Sequence, residues 1–188
     1  SACLVGSEMC IRDRNEYSSE YLFDVEFANN GTTTYGGQVG TIDGVQTPNN
    51  LYWSAVWSTQ EFYETYDPAD LRRDNIARFK YVYDDNQNLV KEDLSSEPIY
   101  YAYKFRHALT EEGRGPGWAN WANPINFPII RLADVYLMLA ECYNEIGNQP
   151  KAVEYINKVR ARAGIALLNS GPSYLAANSK DEVFQRIF

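Results

Sequence analysis

From Leu132 to Ile146 the apolar residues Leu132, Val135, Tyr136, Leu139, Ala140, Tyr143 and Ile146 recur at steps of three and four. That is the stripe one buried face of an α-helix requires. Pro128 suits a first turn, so a helix is predicted over 129–146, and Gly147-Asn148 ends it. Pro150 suits the first turn of the next helix, whose stripe is Ala152, Ile156, Val159 and Ala163, and Gly164 suits a left-handed cap. Glu154 and Lys158 stand one turn apart in the favourable order, while Lys158, Arg160 and Arg162 complement the carbonyl end of the helix dipole. The pattern therefore predicts a helical hairpin over 129–163, with one apolar face per helix left to dock.

Upstream the periodicity changes to two. Tyr21, Phe23, Val25 and Phe27 alternate with Leu22, Asp24 and Glu26, which predicts a half-buried strand. Phe79, Tyr81 and Tyr83 predict a second strand with a turn at 84–88, and Ile99, Tyr101, Tyr103 and Phe105 a third. A short helix is predicted over 60–66, before Pro68. Residues 29–50 and 110–124 are long Gly- and Asn-containing loops, of a length that points to function or disorder.

The spacing Ala140, Tyr143, Gly147, Ala152, Ile156 resembles the tetratricopeptide signature, a helical pair of about 34 residues whose small residues allow close approach. A plain antiparallel helix pair in an all-α domain fits the spacing equally well. One such unit cannot bury its face alone.

The formal net charge of −8 and the absence of a basic patch argue against nucleic acid and against anionic lipid as partners of the protein surface. No stretch approaches the roughly 20 apolar residues of a membrane span. Cys142, on the first predicted helix, reads as a buried structural thiol.

Catalytic patterns fail when sought. His107 is the one histidine and has no partner motif, so it reads as a hydrogen-bonded or solvated side chain. Asp84, Asn86 and Asn88 imitate the start of a calcium loop, but Leu89 stands where that loop needs Gly and Ser95 where it needs Glu. The Gly36-Gly37-Gln38-Val39-Gly40 run lacks the Lys-Ser/Thr of a phosphate cradle, and no two carboxylates are paired as a glycosidase requires. No catalytic residue, metal ligand or cofactor site is assigned.

Aromatic content is what stands out: 15 Tyr, 8 Phe and 4 Trp, every Trp in or beside the two long loops. Trp53 and Trp57 lie four apart, Trp118 and Trp121 three apart. Such rings offer flat apolar faces to sugar C–H groups, and Asn49, Asn50, Asn120 and Asn123 could direct hydrogen bonds to hydroxyls. The same rings read equally as loop anchors packed on the scaffold.

The segments NFPIIRLADVYLMLAECYNEIG (126–147) and AVEYINKVRARAGI (152–165) resemble the hallmark of the RagB/SusD family, surface glycan-binding lipoproteins of Bacteroidota outer membranes. NEYSSEYLFDVEF (15–27), TQEFYETYDPADLR (59–72) and YAYKF (101–105) are similar to further family segments and fall in the same order. The resemblance covers 15–188. It implies a mainly α fold, a tetratricopeptide-like α/α superhelix scaffold with a loop-rich lobe carrying a few short β-strands. It also implies a non-enzymatic protein that captures an oligosaccharide or polysaccharide for a TonB-dependent, SusC-like transporter, held at the outer membrane by a lipid anchor. A tetratricopeptide-type scaffold for a protein or peptide is the alternative, and a glycoside hydrolase a distant third.

The family pattern further leads us to expect a fragment, a partial domain over 15–188. Residues 1–14 carry no period and look like a non-native leader, a sequencing scar, while the lipoprotein signal is expected upstream. Ser179 and Glu182 form a capping-box pattern, from which Val183, Phe184, Ile187 and Phe188 open an apolar stripe. The family continues there into an "ERRxEFxxEG" type segment.

Overall fold

The computed structural model describes residues 20–29, 34–35, 42, 44–48, 54–104 and 126–187. In chain order its elements are β1 (Tyr21–Val25), β2 (Ala28–Asn29), β3 (Thr34–Tyr35), α1 (Gln60–Glu64), a 3₁₀ turn (Leu71–Asn75), β4 (Ile76–Ala77), β5 (Phe79–Tyr83), β6 (Leu89–Asp93), β7 (Tyr101–Ala102), β8 (Phe127–Arg131), α2 (Leu132–Glu145), α3 (Gln149–Ala163), a second 3₁₀ turn (Ser173–Leu175) and α4 (Lys180–Ile187). They fall into two compact units, one within Val25–Pro68 and Arg72–Phe127, the other within Tyr17–Asp24, Ala69–Leu71 and Pro128–Phe188.

The second unit carries the helical hairpin. α2 and α3 pack on each other and on α4 around Ala140, Ala152, Val153, Ile156, Leu168, Ala177 and Val183, with Tyr143, Tyr155 and Ile187 at the margin. Ile156, Leu168 and Val183 are wholly buried, each contributing about 1.5–3 kcal/mol of transfer free energy. Ala140 and Ala152 are fully covered because methyl-sized side chains let the helix axes approach.

Both ends of the hairpin turn are closed by local chemistry. Gly147 adopts φ +81°, and the N–H groups of Gly147 and Asn148 return to the carbonyls of Asn144 and Tyr143. Asn148 then caps α3, its Oδ1 accepting from Lys151 N, with Pro150 in the first turn. At the far end Gly164 has φ +75°, and the N–H groups of Gly164 and Ile165 bond to the carbonyls of Ala161 and Arg160.

Three asparagine side chains fasten the segment after α3. Asn157 accepts from Leu168 N and donates to Leu168 O, so one amide replaces two strand-like hydrogen bonds. Asn169 does the same for Ala177, and the buried Asn144 donates to Lys180 O. The capping box is present: Glu182 accepts from the backbone N–H of Asn178 and Ser179, and Ser179 Oγ accepts from Glu182 N.

Several expectations are corrected. The first helix begins at Leu132, not 129, and Phe127–Arg131 is a strand beside β1. Phe127 precedes a proline, which disfavours helical backbone there, and β-branched Ile129 and Ile130 suit a strand. Asp134 marks the true start by accepting from Arg131 N at 2.8 Å. Leu132, Val135, Tyr136, Leu139 and Val159 are half-buried rather than buried, and Ile146 is 75% exposed as the residue where the helix ends. Cys142 is exposed, not buried, because the hairpin contact runs through Ala140, Tyr143 and Asn144. In α4 Val183 is buried and Ile187 packs beside it, whereas Phe184 stays exposed; Phe188 lies outside the described residues. β1 forms, but Phe23 and Val25 on its expected inner face are exposed.

The first unit is built from short antiparallel pairs: β2 with β3, β4 with β7, and β5 with β6. β5 and β6 form a hairpin whose turn is organised by Asp84, its Oδ1 accepting from the N–H groups of Asn86 and Asn88 while Gln87 takes φ +63°. These hydrogen bonds, from Asn88 first, hold the Asp84 carboxyl below its ordinary pKa, so the segment is a polar turn. The core below it comprises Val45, Ala77, Tyr81, Leu94, Tyr101 and Tyr103. The third predicted strand shortens to Tyr101–Ala102, and Tyr100, Tyr101 and Tyr103 are all buried. Alternation fails because Tyr100 has its own cover, the Tyr63 ring at 5.1 Å and the Arg78 guanidinium at 4.0 Å. The short helix ends at Glu64, two residues before the expected bound.

Candidate functional site

Of the eight side chains that composition and loop placement single out, Trp57 lies among the described residues. Trp53, Trp118, Trp121, Asn49, Asn50, Asn120 and Asn123 fall outside them, as does His107.

Trp57 is fixed by its backbone and displayed by its ring. Its main chain forms a bridge with Tyr101, and the next residue, Ser58, donates its N–H to Tyr100 O at 2.8 Å. The indole Nε1 donates to Ser54 O at 2.6 Å, across a turn in which Ser54 takes φ +52°. The ring meets Tyr101 in a T-shaped contact, centroids 5.6 Å apart at 83°. Such a contact uses at most one indole face. With the residue 55% exposed, a flat apolar face remains open to solvent while its polar N–H is already satisfied.

The support beneath the ring is stiff. Tyr101 is buried and its hydroxyl donates to Gln46 Oε1 at 3.1 Å; burial pushes the phenol pKa up, so this hydroxyl keeps its proton. Gln46, exposed at the surface, is an amide that the sequence did not single out, since nothing in its local pattern places it beside a tyrosine 55 positions away. Next to Trp57 begins α1, capped by Thr59 Oγ1 accepting from Phe62 N, with Phe62 itself exposed. A ring held this way with an open face can stack on the C–H face of a sugar. Among the described residues no three His, Cys, Asp or Glu side chains group as metal ligands, and no helix is long and apolar enough to cross a membrane.

Residues 49–188 match the family model described as the SusD family. A 35-residue stretch is 63% identical to SusD-like protein P25 of Formosa agariphila, covering 19% of this chain and 7% of that protein. Among solved structures, surface glycan-binding protein A from Bacteroides uniformis aligns over 94% of this chain and 36% of its own length, with TM-score 0.62 and 18% identity. Surface glycan-binding protein A from Bacteroides thetaiotaomicron in complex with laminarihexaose aligns over 95% of this chain and 41% of its own, with TM-score 0.63 and 16% identity. The chain thus spans well under half the length of these relatives. The fold is theirs, mainly helical around a tetratricopeptide-like hairpin, with a loop-rich part bearing short strands.

Proposed function

Because the chain belongs to the SusD family, whose model it matches over residues 49–188, we propose that it is part of a non-enzymatic cell-surface protein that captures oligosaccharides or polysaccharides. In this reading the captured glycan passes to a TonB-dependent, SusC-like transporter in the outer membrane, and a lipid anchor holds the protein at that surface. The observation that carries the reading within this chain is Trp57: its ring is held by backbone, hydrogen bond and Tyr101, yet more than half exposed. An immobilised ring loses little entropy when a sugar stacks on it. Its exposure also favours a sugar platform over a peptide-binding tetratricopeptide scaffold, whose contacts would come from the helices. We assign Trp53, Trp118 and Trp121 as further platforms and Asn49, Asn50, Asn120 and Asn123 as hydroxyl partners, on the composition of their loops.

Calorimetric titration with neutral oligosaccharides, laminarihexaose among them, tests this. Stacking on neutral rings predicts an affinity nearly flat in pH and salt, and unchanged sugar after long incubation. Products of hydrolysis, or the failure of every glycan in a broad panel to bind, would remove the reading.

A further inference from the structure

Arg73 is one of two described arginines whose buried Nε has no hydrogen-bond partner. It sits in the first 3₁₀ turn, half-buried, with its guanidinium carbon 4.2 Å from the centroid of the Tyr63 ring. Among the described residues its buried Nε has no hydrogen-bond partner and the side chain forms no ion pair, Asp74 beside it in sequence included. Arg78, whose Nε is likewise without a partner, has its Nη2 occupied: while it lies over Tyr100, Nη2 donates to the carbonyls of Leu94, Ser95 and Glu97. Tyr63 and Tyr100 are themselves in contact, so two guanidinium groups flank one pair of rings.

A guanidinium stacked on a ring keeps its in-plane N–H groups as a fork, the geometry that matches the two oxygens of a carboxylate or sulfate. The ring fixes the plane, so little freedom is left to lose on binding. In a chain with 25 acidic and 17 basic residues, a half-buried arginine with no carboxylate on it among the described residues can take a counter-ion from outside. Resting on the glycan-capture reading above, we infer that Arg73, stacked on Tyr63, is a subsite for an acidic sugar, one bearing a carboxylate or a sulfate. The general acidity of the chain then acts as a filter: a polyanion is repelled except where Arg73 receives it.

The test is calorimetric titration of the chain with hexamannuronate, a sulfated κ-carrageenan hexasaccharide and neutral laminarihexaose. One acidic hexasaccharide should bind about tenfold tighter than laminarihexaose at about 50 mM salt, and lose most of that advantage at about 500 mM, where the screening length falls to a few ångströms. Which of the two acids binds distinguishes carboxylate from sulfate recognition. Arg73→Gln should abolish the preference. Arg73→Lys, which keeps charge without the fork, should weaken acid binding about threefold or more and carries the test if the Gln variant unfolds. Acidic sugars binding no better than laminarihexaose, or full preference retained in folded Arg73→Gln or Arg73→Lys, overturns the subsite and leaves glycan capture standing. Absence of binding by acidic and neutral sugars alike overturns both.

Discussion

Single residues decide where the helices stop, and those residues were the easiest to read. Gly164 was legible as a cap from its place after an apolar stripe, and its φ of +75° is the reason glycine is needed. A second reason was hidden: a Cβ at Gly164 would stand 3.0 Å from Leu71 Cγ, a contact with a residue 93 positions earlier in the chain. Gly164→Ala should therefore destabilise by about 1–2 kcal/mol from the left-handed conformation alone, seen as a lower midpoint in thermal or urea unfolding. Glu182 was equally legible, since a Ser three residues before a Glu is a local pattern. Its carboxyl accepts from the N–H groups of Asn178 and Ser179, which hold its pKa below the ordinary 4.5. A depressed carboxylate stabilises above the unfolded-state value and ceases to as pH falls through the folded-state value. Amide protection at the start of α4 should accordingly fall as pH drops below about 4.5, and the Glu182→Gln variant should show no such step. Asn144, Asn157 and Asn169 were not legible, because an amide that clamps a distant backbone segment carries no local period.

Elements were readable where a period ran long enough to average out exceptions. The α2–α3 hairpin spans about eight turns of consistent stripe, and its inner bounds, to within a residue, and its Gly164 cap follow from sequence. Its outer bound did not, because Ile129 and Ile130 continue the apolar spacing while preferring extended backbone, and β1 supplies the strand that settles the choice. The short pairs of the first unit were the least readable: β4 and β7 are two residues each, too short for any periodicity, and depend on the distant pairings of Ile76 with Ala102 and Ala77 with Tyr101. Within the hairpin the contact point is specific. Ala140 is fully covered by the α3 and α4 side, so Ala140→Trp should overpack it and cost about 1–3 kcal/mol, measured as a lowered denaturation midpoint; an unchanged midpoint would contradict the close packing.

For the whole molecule, family membership was carried by the two helical segments between 126 and 165, whereas the proposed platform residues lie in stretches that follow no spacing rule. Trp57 was picked out for being a large ring in a loop. What sequence could not supply was its surroundings, the bridge to Tyr101, the Nε1 bond to Ser54 and the exposure of the ring. Glycan capture by that ring is most directly tested by comparing wild type and Trp57→Ala in titrations with whichever neutral oligosaccharide the wild type binds. A stacking platform at Trp57 predicts a loss of about 1–3 kcal/mol of binding free energy, the range of ring-stacking losses, with the thermal midpoint nearly unchanged. Undiminished affinity in a variant whose midpoint has dropped would contradict it, and would make Trp57 an anchor of its loop.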